Sequence, residues 1–132
     1  MRRARIVLTA VFGLLALNAW AQVVFVPLGR SDDPPLLTAW QALVGAAGAA
    51  AAWGSWAAAR WAPAAAVAYG VTTAGMLVAL GPMLGLEAAA RGGLWAGAAV
   101  LLALGIGSAW YLRRIIRAVH ADAPVESRRA AG

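Results

Sequence analysis

The sequence predicts an all-α fold: a polytopic membrane bundle of four transmembrane helices, up-down-up-down, with short loops. Two observations carry this expectation. The 16 charged residues are confined to 35 of the 132 positions, and the rest of the chain falls into four charge-free windows: Ile6–Gly29, Pro34–Ala59, Trp61–Leu86 and Gly92–Leu112. In addition, 63% of the residues are hydrophobic and 12% charged, where an ordinary soluble domain carries about 25% charge. A helix rises about 1.5 Å per residue, so about 20 residues cross the ~30 Å hydrocarbon core. The windows hold 24, 26, 26 and 21 residues, and each is long enough to cross once. A soluble helical bundle would need a polar face on every helix, and Val44–Gly54, VGAAGAAAAWG, offers none.

The first helix is expected over 6–28. It holds 13 Leu, Ile, Val and Phe residues, which favour insertion by several kcal/mol at about 0.3–0.6 kcal/mol each. Residues 1–21 have a second reading, a cleaved secretory signal peptide. Arg2, Arg3 and Arg5 form a basic start, Ile6–Leu17 an apolar stretch and Ala19-Trp20-Ala21 a small-x-small site. Val23–Leu28 continues the apolar run to spanning length, which favours the helix. The second helix is expected over 36–59. Its only large aliphatics are Leu36, Leu37, Leu43 and Val44, so it is expected to insert as a hairpin with a neighbour. Asp33 is positioned to cap it, with Pro34 in the first turn, where a missing N–H costs nothing. Pro63 opens the third helix, 63–86, by the same logic, and Pro82 is expected to kink it. The fourth, 93–118, runs on through RRIIRAV. The four helices make one domain, 1–120, and the polar, Pro-containing segment 121–132 reads as a disordered cytoplasmic tail.

Small residues let transmembrane helices approach closely. Gly93–Gly97, whose face Gly105 extends, and Gly81–Gly85 are GxxxG pairs, and Ala46, Ala50, Gly54 and Ala58 form a small row on the second helix. Trp40, Trp61, Trp95 and Trp110 fall near helix ends, as interfacial anchors do, and Trp20 and Trp53 lie deeper.

Arginine sets the threading. With both termini cytoplasmic, nine of the 11 Arg lie inside and only Arg30 and Arg91 outside, as the positive-inside rule requires. Arg and Ala dominance without Lys points to a GC-rich bacterial genome, hence to a bacterial inner (plasma) membrane.

No Cys is present, so disulfides and thiolate chemistry are excluded. Eleven scattered Arg without a recognition motif do not form a nucleic-acid-binding stripe. No ionisable Asp, Glu, Lys, Arg or His side chain lies inside any window, whereas proton-coupled carriers generally need one. No catalytic constellation, metal ligand set or cofactor motif is found, so no enzyme activity and no cofactor are expected. The intramembrane polar residues are Asn18 and Gln22, four apart on one face of the first helix, and Gln41 at the same depth on the second. They are expected to face one another, either as structural glue worth about 0.6 kcal/mol per bond or as a polar pocket with Glu87 and Arg91 at its mouth. Ser55, Tyr69 and Ser108 form a thinner polar layer toward the inner side. Arg113, Arg114 and Arg117 are placed to hold anionic lipid headgroups at about 1 kcal/mol each.

In topology alone, four crossings with both ends inside resemble the small multidrug-resistance exporters. Those carry an acidic residue in the first helix, where this chain has neutral Asn18 and Gln22, so membership does not follow. The expected partners are the lipid bilayer and a membrane-protein partner or a second copy of the chain. The expected role is a non-enzymatic structural or accessory subunit; the alternative is an oligomeric transporter or channel for a neutral or hydrophobic solute.

Overall fold

The computed structural model describes residues 2–25, 34–85 and 87–130, with side chains at all of these except 2, 88–90 and 122–130. Among the described residues there are four helices and no strand: α1 (Arg2–Phe25), α2 (Pro35–Ala57), α3 (Ala62–Met83) and α4 (Ala88–Ala130). Each contains a stretch long and apolar enough to cross a membrane, namely Arg3–Phe25, Pro35–Ala57, Ala62–Met83 and Arg91–Ala121. The chain is accordingly described as a multi-pass membrane protein.

The helix ends follow local chemistry. α1 takes in the arginines at its start, which are good helix formers. Pro34 stands just outside α2 in an extended conformation (φ −58°, ψ 144°), and its carbonyl accepts from Leu37 N at 2.9 Å and Thr38 N at 3.1 Å. Pro35, not Pro34, therefore occupies the first helical position; the expected Asp33 cap lies outside the described residues. α2 closes through Ala58 in the left-handed region (φ 50°), with Ala59 N donating to Gly54 O at 2.9 Å. Glycine is the usual residue at such a helix end. Pro82 stands one residue before the end of α3, in the last turn of the helix. Gly85, at φ 63°, supplies the left-handed turn that a residue with a Cβ adopts at a cost. α4 is 43 residues long, about 65 Å at 1.5 Å per residue, twice the hydrocarbon thickness. Its helical backbone continues past 118, across Pro124, to Ala130 in the segment read as a tail.

The helices pack in chain order, α1 on α2, α2 on α3 and α3 on α4. Arg5 meets Ser55 and Trp56, while Gln22 meets Gln41. Trp40 meets Thr72, and Gly54 abuts Ala62. Gly70 abuts Gly105, and Gly81 abuts Arg91. In every pair the numbering rises on one helix as it falls on the other. The apolar windows of α2 and α3 are 33% and 28% buried, those of α1 and α4 only 17% each. α2 and α3 are thus the inner helices and α1 and α4 the flanks. The core is built from small residues with a few large ones, among them Phe12, Val44, Ala51, Ala66, Tyr69 and Leu112.

Closest approach occurs where neither helix has a side chain. A Cβ on Gly105 would lie 2.9 Å from Gly70 Cα and 3.0 Å from Ala66 O. The GxxxG at Gly93–Gly97 is not this crossing: Gly93 has nothing within 4 Å and Gly97 meets only Leu77 at 3.4 Å. On α2 the buried row includes Gly45, Gly48, Ala51 and Gly54, rotated from the expected Ala46–Ala50–Gly54–Ala58, with Ala46 exposed. The rotation follows from α1 and α3 both resting on Gly48, where an added Cβ would meet Ala16 at 3.1 Å and the Tyr69 ring at 3.3 Å.

Gly105→Val is expected to force α3 and α4 apart and to cost about 1–3 kcal/mol, the usual range for overpacking. Gly107→Ala, with nothing within 4 Å of its added methyl, is expected to change nothing or to stabilise slightly. Denaturant unfolding in detergent compares the two; equal stabilities would rule out the Gly70–Gly105 crossing.

Candidate functional site

The structure brings the three amides to one place. Gln22 and Asn18 project from the same face of α1, and Gln41 of α2 donates from Nε2 to Gln22 Oε1 at 2.6 Å. Gln41 is 5% exposed, and its own Oε1 is buried without a partner. Asn18 and Gln22 are exposed on α1.

All three amides line a recess of about 240 Å³ to which every helix contributes: Leu15 and Ala19 beside the two α1 amides, Val44 of α2, Tyr69, Thr73 and Met76 of α3, and Leu101 of α4. Its floor is fixed by packing. The Phe12 ring meets Tyr69 edge-on at 5.5 Å and 80°, and Trp40 pins α2 to α3 by donating from Nε1 to Thr72 O at 3.0 Å. The threonines are spent on their own helix: Thr72 Oγ1 donates to Ala68 O at 2.8 Å and Thr73 Oγ1 to Tyr69 O at 2.8 Å, the common fate of helical threonines. The unmet polarity of the recess is therefore that of the amides. Glu87 and Arg91 do not line it; the Arg91 stem lies instead against Gly81 on the α3–α4 seam.

The inner polar layer does not form as expected. Ser55 is fully buried and donates to Ala51 O of its own helix at 2.7 Å, and Tyr69 belongs to the amide recess. Trp61, Trp95 and Trp110 are exposed, as anchors are. Trp20 and Trp53 are exposed as well and flank an apolar groove of about 520 Å³ between α1 and α2.

The α4 arginines divide. Arg114 lies over the Trp110 ring at 4.7 Å, a cation–π contact. Arg113 and Arg117 line a second recess of about 460 Å³, together with Arg60 of the α2–α3 turn, Pro63 and His120. The sequence reading missed Arg60 and His120 here. The register that sets Gly70 beside Gly105 places position 60 opposite 115, between those two arginines, and is the signal that finds Arg60. Arg5 was also missed as a binding group: its Nε donates to Ser55 O at 3.3 Å and its terminal nitrogen to Trp56 O. It thereby satisfies the open carbonyl end of α2, where a cation is favoured. Among the described residues no three His, Cys, Asp or Glu side chains gather into a metal-binding group.

No protein-family model, no curated protein and no solved structure matches this chain.

Gln22→Leu strands both polar ends of the buried Gln41 amide, which costs about 1–3 kcal/mol. Adding Gln41→Leu removes the stranded group as well. The double variant is expected to be no less stable than Gln22→Leu alone, giving a strongly non-additive cycle when unfolding is followed in detergent. Simple additivity would mean that the two amides do not act as a pair.

Proposed function

We propose that the chain is a non-enzymatic accessory subunit of a bacterial inner membrane that packs against another membrane protein along the amide recess. The supporting observation is the buried, unpartnered oxygen of Gln41. In hydrocarbon no water is at hand to satisfy it, and an unmet buried acceptor is costly. A partner helix that inserts an N–H or O–H donor removes this cost. The space fits a side chain better than a solute: about 240 Å³ falls below the 300–1,000 Å³ usual for small-molecule sites. Uncharged amides also suit a neutral solute, which keeps an oligomeric carrier or channel as the second reading.

The proposed threading is up-down-up-down with both termini cytoplasmic. Its support is the distribution of charge: Arg5, Arg60, Arg113 and Arg117 gather at one end of the helices, with Glu87 and Arg91 at the other. Only the first end has the arginine excess of a cytoplasmic face.

A photo-crosslinking residue placed at position 18 or 101 is expected to yield, in native membranes, an adduct with a different membrane polypeptide. An adduct with a second copy alone would shift the assignment to the carrier or channel. A bare monomer in mild detergent with no adduct at either position would overturn both readings. For the threading, a phosphatase that is active only in the periplasm should stay silent when fused to either terminus.

A further inference from the structure

We propose that the recess between the α2–α3 turn and α4 is a binding site for a phosphate-bearing anion, supplied by the headgroup of an anionic phospholipid at the inner face. It is separate from the amide recess and does not depend on what covers that site.

Three arginines from two elements 53 residues apart in sequence converge on one cavity of about 460 Å³: Arg60 from the turn, Arg113 and Arg117 from successive turns of α4. Ile116 and Pro63 line it between them, and Ile116 is buried, so the charges rest on an apolar floor. Like charges gathered on a low-dielectric floor repel one another, and an anion among them relieves that repulsion. Among the described residues the only carboxylate side chain is that of Glu87, 26 residues before Arg113, about 39 Å along a helix. No described carboxylate is therefore within reach of the three guanidinium groups.

The surrounding geometry favours phosphate. Guanidinium forks match phosphate oxygens in pairs, which ammonium groups do not. Pro63 lies in the first turn of the 22-residue α3, so the positive end of that helix borders the recess and adds to the arginines. His120 spends one nitrogen on its own helix, Nδ1 lying 2.8 Å from Ile116 O. A carbonyl only accepts, so the proton sits on Nδ1. Arg114, committed to Trp110 at 4.7 Å, is not part of the site.

The position favours a lipid source. Arg113 directly follows the last charge-free window and Arg60 separates the second window from the third, so both stand at headgroup level. A basic pocket between transmembrane helices at this depth takes phospholipid headgroups. A cavity of this size is also larger than one inorganic phosphate needs.

The test uses the full chain, purified in detergent and offered phosphatidylglycerol, diphosphatidylglycerol or phosphatidylcholine, with bound lipid counted by native mass spectrometry. The anionic lipids are expected to be retained over phosphatidylcholine, the diphosphate lipid most strongly. Arg60→Gln is expected to weaken retention about fivefold, in line with one arginine at a membrane surface, and Arg114→Gln to leave it unchanged. The triple variant Arg60→Lys, Arg113→Lys, Arg117→Lys keeps the charges that set the threading, so a loss there reports the missing forks and not failed insertion; several-fold weaker retention is expected. Equal losses for Arg60→Gln and Arg114→Gln, or full retention in the lysine variant, would overturn the site. Pyrophosphate is expected to compete with the bound lipid; pyrophosphate binding without any lipid preference would overturn the headgroup as its source.

Discussion

Carrying an ionised side chain into hydrocarbon is costly, by about 2.5–3.5 kcal/mol at the centre of a helix even on the mildest scale. Most features of this protein descend from that constraint. It leaves 97 residues in four windows with no charge and keeps every arginine outside them. It also decides which chemistry a site at each depth can use. Inside the charge-free windows only neutral polar groups are available, so Gln22 and Gln41, near the α1–α2 connection, bond to one another. At the basic end guanidinium groups can gather in water and headgroups, and Arg60, Arg113 and Arg117 do so. The two recesses differ in chemistry because they differ in depth.

Within the bilayer the helices gain nothing by hiding oil from oil, so contact distance replaces hydrophobicity as the organising term. This explains why the tightest seam is a bare crossing, Gly70 against Gly105, with no large side chain at the contact. It also explains the division between inner and flanking helices. Gly45, Gly48 and Gly54 line up along α2 and let it take α1 on one side and α3 on the other; an added Cβ at these positions would touch Trp20, Ala16 or Tyr69, and Ala62. Gly92, Gly93 and Gly107 of α4 have open space around them, and α4 remains a flank.

The number and order of the helices were legible in the sequence because charge-free length is a property of the chain alone; the run of α4 on to Ala130 was not. The depth match of Gln22 and Gln41 was legible for the same reason: it follows from counting residues out of a shared loop. Rotation about each helix axis was not legible. It depends on which of several equivalent small rows meets a neighbour, and in a chain with 15 glycines the Gly93–Gly97 motif and the Ala46 row looked as good as the true contacts. Groups distant in sequence were hidden for a related reason. Arg60 joins Arg113 and Arg117 only through the α3–α4 register, and Arg5 reaches Ser55 and Trp56 only through the α1–α2 register. Both registers are set by glycine crossings or side-chain bonds that composition does not reveal.

The low burial of the flanking helices changes what counts as a sign of a partner. In a soluble protein the exposed Leu14, Leu17, Trp53 and Leu104, each more than 60% exposed, would mark an interface or an aggregation risk. In lipid they mark nothing, because acyl chains cover them at no cost. The informative surface is the polar one, where lipid is the worst available neighbour. By that measure the larger apolar groove beside Trp20 and Trp53 offers only the buried, unpartnered Thr9 hydroxyl, and the smaller recess, with three amides and the unmet Gln41 oxygen, is the stronger call for a donor. A transmembrane partner is better sought from a single unsatisfied atom than from the largest exposed face.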